Sequence, residues 1–425
     1  MINQPNQVYV VENDFDLDED TVVLPKGCYL DFKGGTLRNG VLRGMLTNEY
    51  IRPEWFGAKG DGITDDFAAI QIAMGIGRNI VFTGIYCVSQ PIIVSNQGIT
   101  IEKGAIIRAI GDSIDYVFKY LKSKQPIYMD GDGTIDCNGK CGGIYYDTPE
   151  TFRLQNLYIN RVAYKPVLRV KRGFIESYNV NCDGRGVDKQ KQPLYNVQLD
   201  GGSDHKFDRW TIITQTTGIQ GCAGSSIFSR VHLWGRLDCG FVVTGKCTFN
   251  MCYTDYCKIG FDVVNSSKRN SIGINIFNHN TIGNKEDILV YSHYPTLIGT
   301  LTLATHLNSK MKLVAFSDDI KKGVCGLTIN TASIAGMKGP TSLRPNFSQS
   351  PNNDILVGYQ YYDTTLKRLV WWNGQTWDSY PSYKKGNSSQ RPKVQEGELF
   401  YDSTLKKVIL YNGTQWVNLD GTILK

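Results

Sequence analysis

The chain has 425 residues, a formal net charge of +6 and 41% hydrophobic residues. That length can bury a large core and suggests two or three domains. Its Lys and Arg are spread along the chain, which argues against a nucleic-acid arm; no apolar run approaches about 18 residues, so nothing reads as a membrane span.

Helix signals are scarce, with 44 Gly, 24 Tyr and 17 Phe among short apolar runs rich in Val, Ile and Thr. This is an all-β composition. The 11 cysteines are irregularly spaced and most sit in strand-like runs such as "NMCYTDYCKIGF". They read as buried free thiols, which suggests assembly in a reducing cytoplasm.

At the N-terminus, "MINQPNQVYVVENDFDLDED" has neither a basic nor an apolar leader region, so no signal peptide is expected. Residues 22–48 alternate short strands with Gly turns and read as a small β module within an attachment region, 1–52. Residues 53–78 hold the clearest helix pattern, "DDFAAIQIAMGI" (65–76). Thr64 is the expected N-cap, Asp65 and Asp66 fall in the first turn, and Gly60 and Gly62 allow a tight turn before it. The helix is apolar almost all round, which predicts burial.

Residues 79–315 repeat. Phe152, Phe174, Phe207, Phe228 and Phe249 open similar segments at intervals of 22, 33, 21 and 21, and Ile274 opens a further copy. The long interval contains "GRGVDKQKQP" (184–193), an extra loop. Gly218, Gly240 and Gly260 recur at intervals of 22 and 20. A period near 21 is too short for a propeller blade and fits stacked coils that share one core, a right-handed parallel β-helix. Such a solenoid needs capped ends, and helix 65–76 is placed to plug the first.

After a linker, 316–343, two modules follow at 344–383 and 391–425. "YYDTTLKRLVWWNGQTWDSY" (361–380) aligns with "FYDSTLKKVILYNGTQWVNL" (400–419) at an offset of 39. Each copy reads as a hairpin, with Asp-x-Thr in one turn and Asn-Gly signalling a type I′ turn.

"EWFGAKGDGITDDFAAIQIAM" (54–74) resembles the N-terminal signature of the pectate-lyase-like β-helix superfamily, keeping Gly57, Gly60, Asp61, Gly62, Asp65, Asp66, Ala69, Ile70 and Gln71. The C-terminal repeat is similar to modules in tail proteins of phages and prophages of gut anaerobes, including crAss-like phages. Together these resemble a phage tail fibre or tailspike. The resemblance implies a homotrimer in the virion tail, assembled in the host cytoplasm, that contacts other tail proteins and a bacterial surface polysaccharide. The spread of charge and the short apolar runs add that neither nucleic-acid binding nor membrane insertion is expected.

Polysaccharide hydrolysis needs two carboxylates about 5–10 Å apart, a separation that neighbouring coils can supply. Alignment on the repeated Phe puts Glu176 with Arg209, Asp183 with Thr216, Trp234 with Asp255, and Asp208 with Ser229 and Asn250. If the chain is an enzyme, Glu176, Asp183, Asp204 and Asp208 are the candidates. The polygalacturonase set is incomplete: "NCD" (181–183) is present, but no Gly-His-Gly occurs. "DGDGTIDCNG" (130–139) lacks the acidic twelfth position of a calcium loop and reads as a Gly-rich turn. The five histidines are scattered, and neither a metal nor another cofactor is expected. Trp210, Trp234, Trp371 and Trp372 are the candidate glycan-stacking residues; the competing and favoured reading of Trp371, Trp372 and Trp377 is the small module's core or a trimer interface, and the equivalence of Trp377 and Trp416 supports a structural role for both. Two readings stand: a structural and glycan-binding tail component, and a tailspike depolymerase.

Overall fold

The computed structural model describes residues 4–424 except 236, 266–267, 283–287, 305–311, 321–322, 332–337, 345–347, 349–359, 367, 380–383 and 393–398. The chain divides into two units, residues 1–332 and 333–425.

The N-terminal module already has the rung geometry of the larger repeat. Strands Val8–Val11, Phe15–Asp16 and Thr21–Val23 pair in parallel with Tyr29–Phe32, Leu37–Arg38 and Val41–Arg43. Val8 lies beside Tyr29, Phe15 beside Leu37 and Thr21 beside Val41. These offsets of 21, 22 and 20 residues match the period found downstream.

The capping segment corrects the expected start of the helix. Thr64 and Asp65 belong to strand Asp61–Asp65, which pairs with Ile85–Val88, and the helix runs Phe67–Gly75 with Asp66 at its N-cap. Strand pairing outcompetes an extra helical turn here. The three acidic side chains fasten backbone. Asp61 accepts from the Ile63 and Thr64 amides, at 2.9 and 2.8 Å. Asp65 accepts from the Phe67 and Ser89 amides, at 3.1 and 3.2 Å. Asp66 is buried and turns back to accept from the Lys59 and Gly60 amides, at 2.6 and 3.1 Å. Burial pushes the Asp66 carboxyl up, although those two amides favour its ionised form. The helix buries only Ile70, Ala73 and Met74, so its apolar periphery is half-covered rather than engulfed. Gln71 ties it to the first coils: its amide donates to the Ile93 carbonyl at 3.2 Å and accepts from the Ile93 amide at 3.0 Å.

The body is a parallel β-solenoid of about 12 turns, a single sheet of 26 strands. It starts at Tyr50–Ile51 and Asp61–Asp65, which pair with the next rung, and ends at Val324–Thr331. The segment expected as a linker therefore holds the last rung. Phe207, Phe228 and Phe249 stack on consecutive rungs, with centroids 5.2 and 5.1 Å apart and planes within 15°. Phe174 does not join them. It sits beside Thr151 and is half-exposed, while Ser177 lies beside Phe207. The extra residues in the long interval shift the register by three, so Glu176 lies beside Lys206 and Asp183 beside Ile213, not beside Arg209 and Thr216. The row Asp208, Ser229, Asn250 is as expected.

The recurring glycines have a steric cause. A Cβ on Gly218 would lie 2.7 Å from the Gly240 carbonyl oxygen, and one on Gly240 would lie 2.6 Å from that of Gly260. Side-chain-free positions stack so that the coils approach. A second column turns the chain: Asn156, Asn179, Arg209, Arg230, Met251 and Asn278 all have φ between 50° and 55°. Each separates two faces of its coil. All eleven cysteines are free thiols, ten of them buried. Among the described residues, no helix is long and apolar enough to cross a membrane.

In the second unit each repeat forms a four-stranded sheet: Lys338–Gly339, Gln360–Asp363, Arg368–Trp372 and Trp377–Ser379, then Lys384–Gly386, Leu399–Asp402, Lys407–Tyr411 and Trp416–Asn418. The first strand of each pairs in parallel, and it precedes the Arg-Pro that was expected to open each module. That extension has a purpose. Asp363 is fully buried and accepts from Thr341, Arg344 and the Thr365 and Leu366 amides. Asp402 repeats this with Ser388, Arg391 and the Thr404 and Leu405 amides. The Asn-Gly turns are wider than the expected type I′ turn. Trp372 pairs across to Trp377, and the Asn373 side chain accepts from the Gln375 and Thr376 amides at 2.8 and 2.7 Å. Only Gly374 of the Asn-Gly pair has positive φ.

Candidate functional site

One outer face of the solenoid concentrates polar and aromatic groups. After the corner column, two positions per rung point outward. One column runs Tyr158, Asn181, Thr211, His232, Tyr253 and Asn280. The other runs Asp136, Asn160, Asp183, Ile213 and Trp234, with Asp255 ending the strand after it. Side chains bond diagonally from the first column to the next rung of the second: the Tyr158 hydroxyl donates to Asp183 at 2.8 Å, and His232 Nε2 lies 3.1 Å from Asp255 Oδ2. The His232 ring stacks on Tyr253 at 4.5 Å.

The loop 184–193 builds a wall on this face. Between it and the neighbouring rungs lies a cleft of about 490 Å³, lined by Arg185, Val187, Gln192, Gln215, Trp234 and Tyr256 among others. Gln192 is the latch. Its amide donates to the Gly184 and Val187 carbonyls at 3.1 and 3.0 Å, and its oxygen accepts from the Thr214 hydroxyl and the Gln215 amide, both at 3.0 Å. Arg185 lies 5.8 Å from the Trp234 ring centre and pairs with Asp183 at 2.7 Å. Trp234 is half-buried and Tyr256 is exposed, so both offer aromatic surface to the cleft. Burial raises the Asp183 pKa, but Arg185, a backbone amide and Tyr158 outweigh it and hold the carboxyl below its usual range. Burial and the adjacent Asp183 push Tyr158 up to about 12.

The other expected residues do not join this cleft. Trp210 is fully buried and donates its indole N–H to Ser177 at 2.9 Å, so it is core and not a sugar platform. Trp372 is 3% exposed and packs against Trp377 in its small sheet, so it too is core. Trp371 is half-exposed on the other face of the same strand. Glu176 and Asp208 lie before the corner, on a different face from Asp183. Lys206 and Arg153 bind Glu176, at 2.9 and 3.3 Å, and hold its pKa down. Arg230 binds Asp208 at 2.8 Å. Asp204 is exposed and accepts from the Ser203 hydroxyl at 2.7 Å. His205 is buried, accepts from the Ile175 amide, and is lowered to about 4 by burial. His279 is equally buried, His293 pairs with Asp262, and His306 lies outside the described residues. In the glycine-rich stretch 130–139, Asp136 is bound by Arg108 at 2.9 Å and by Arg161 at 2.8 Å, so its carboxylate is already neutralised. Among the described residues, no three His, Cys, Asp or Glu side chains converge on a metal position.

Sequence reasoning missed Arg185, Gln192, Tyr158 and Tyr256 as one group. The signal was the loop 184–193 itself: an insertion in a stacked repeat must leave the sheet at a corner, and there it walls a cleft.

No protein-family model matches the chain, and no curated protein is similar to it in sequence. Among solved structures it is similar to ORF18 of Geobacillus virus E2, with 15% identity, a TM-score of 0.45, and 89% of this chain and 86% of that one covered. It is similar to the phiAB6 tailspike solved with oligosaccharides of Acinetobacter baumannii surface polysaccharide, with 12% identity, a TM-score of 0.32, and 85% and 63% covered. It is also similar to the Streptococcus pneumoniae surface protein and adhesin PfbA, with 14% identity, a TM-score of 0.35, and 66% and 96% covered. A viral protein, a phage tailspike and a bacterial surface adhesin thus stand among its structural neighbours, and the likeness concerns the fold.

Proposed function

We propose that the protein is a structural component of a phage tail fibre or tailspike that binds a bacterial surface glycan in the cleft beside loop 184–193. The observation that carries this reading is the combination of Trp234, Tyr256 and Arg185 around an open cleft on a rigid face. A flat aromatic surface suits the apolar face of a sugar ring, and the polar rim suits its hydroxyls. The outward columns from Tyr158 to Asn280 span about 24 Å at the spacing of adjacent strands, which suits a chain better than a single sugar. The carboxylates favour binding over hydrolysis. Glu176, Asp183 and Asp208 are each tied to a cation, and the depressed pKa of Glu176 and Asp183 is wrong for a general acid, which must hold a proton near neutral pH.

Attachment to another tail protein is proposed for the first rung, where Val8, Val10, Phe15 and Val23 are all at least 50% exposed. A homotrimer mounted on the virion and assembled in the host cytoplasm belongs to the same reading. The alternative is a depolymerase using Glu176 and Asp208, whose strand positions are about 8 Å apart on adjacent rungs, within the range for inverting hydrolysis.

Titration of the full chain with purified host capsular polysaccharide tests the reading. Binding that falls about tenfold or more in Trp234→Ala, with no new reducing ends or unsaturated uronates released, supports it. Release of either product that stops in Glu176→Gln or Asp208→Asn replaces it with the depolymerase.

A further inference from the structure

The two C-terminal copies share one strand order, and one row changes from polar and aromatic to aliphatic between them. At the offset of 39, Gln360, Trp371 and Asp378 correspond to Leu399, Leu410 and Val417. In each sheet these three positions lie side by side across the antiparallel strands. The second copy covers one end of its row: Val417 is 1% exposed and bridges to Ile423, while Leu399 and Leu410 stay half-exposed. The equivalent of Ile423 in the first copy is Lys384, which pairs with Phe400 in the second sheet instead.

The first copy leaves its row open. Trp371 is half-exposed, and Tyr362 and Leu369, on the same face, are 42% and 38% exposed. Folding does not explain this. The core face of the same sheet is filled by Tyr361, Val370 and Trp372, all buried, and the second copy folds with leucine where Trp371 stands. Asp378 is also held ready. The Asn373 amide donates to Asp378 Oδ2 at 2.9 Å, while its oxygen holds the turn amides. In the second copy Asn412 holds the same two amides, but valine occupies the place of the carboxylate. Among the described residues, Asp378 Oδ1 has no partner and can accept.

We infer that the first C-terminal module carries a sugar-binding site of its own, distinct from the solenoid cleft. Trp371 and Tyr362 offer aromatic faces on neighbouring strands, at diagonal positions about 7–8 Å apart. Asp378 stands beside Trp371 as a fixed hydroxyl acceptor. A pyranose is the ligand class that pairs an apolar C–H face with hydroxyls at its edge, and this row offers both surfaces at once. The second module keeps the same sheet with aliphatic residues along that row and lacks both the indole and the carboxylate.

Trp371→Leu and Asp378→Val test this, because the second copy already folds around those residues. Saturation-transfer NMR is run on the full chain with methyl pyranosides of glucose, galactose, mannose and N-acetylglucosamine. The expected result is transfer from at least one sugar in a Trp234→Leu background, where the cleft is disabled, weakened about tenfold or more when Trp371→Leu or Asp378→Val is added. Transfer that survives Trp371→Leu in that background, or that is already absent in Trp234→Leu alone, overturns the proposal; the second result leaves the cleft reading standing. No transfer from any of the four sugars also overturns it, as does a change in oligomeric mass in Trp371→Leu without lost sugar binding, which makes the face a subunit contact.

Discussion

Truncating Phe228 to alanine is expected to cost about 4–5 kcal/mol, toward the upper end of what buried Phe→Ala changes show. The ring is fully buried, stacked between Phe207 and Phe249 at 5.2 and 5.1 Å and flanked by Phe241 at 5.8 Å. Removing the ring exposes or voids about 100 Å² of apolar contact, which at about 25 cal/mol per Å² is about 2.5 kcal/mol. The two stacked partners add about 0.5–1.5 kcal/mol each. Phe174 is the control. It opens a repeat segment in the sequence just as Phe228 does, but it is half-exposed and outside the stack. Phe174→Ala is expected to cost about 1–1.5 kcal/mol, the lower end for a partly buried side chain. Urea unfolding of the full chain measures both. Because coils contact only their neighbours, hydrogen exchange in Phe228→Ala should rise first across 205–263 and spare the early rungs. Equal losses in the two variants, or a loss under about 1.5 kcal/mol for Phe228, would refute the register and the stack together.

Gly240→Ala should lower the melting temperature and cost about 1–3 kcal/mol, since its Cβ would lie 2.6 Å from the Gly260 carbonyl; differential scanning calorimetry reads this. Gln192→Ala removes the latch of loop 184–193 and should raise exchange within that loop and, under the proposed function, weaken polysaccharide binding, without touching a lining aromatic. The C-terminal modules should fail in acid. Burial opposes ionisation of Asp363 and Asp402, but hydrogen bonds from turn amides, hydroxyls and arginines hold both folded-state values at about 2. A lowered folded-state pKa contributes stability above the unfolded value of about 3.9, and that stability is lost as pH falls from about 4 toward 2. Tryptophan fluorescence between pH 5 and 2 follows it, and Asp363→Asn should weaken the first module at neutral pH and flatten its acid transition.

Much of the architecture was legible because repetition leaves marks in sequence. The period near 21, the spaced glycines and the offset of 39 between the C-terminal copies each report a backbone constraint renewed at every copy. The capping motif was legible as well, although strand pairing took Thr64 and Asp65 from the helix. Register was not legible between Phe174 and Phe207, because an interval of 33 does not say where its extra residues leave the sheet. Burial of Trp210 was hidden for the same reason: a shift of one position turns a strand residue from solvent to core. The cleft depends on Gln192 reaching four backbone and side-chain partners, and no local pattern announces that.

The loop 184–193 enters and leaves the sheet at one corner, and the coils on either side stack without it. Its replacement would change the lining of the cleft while the strand pairing on either side is kept. Any replacement must refasten the segment where Gln192, the Lys191 carbonyl and the Pro193 carbonyl now hold it. Variation in the cleft would find its raw material there, ten residues long, while the glycine and phenylalanine columns stay fixed.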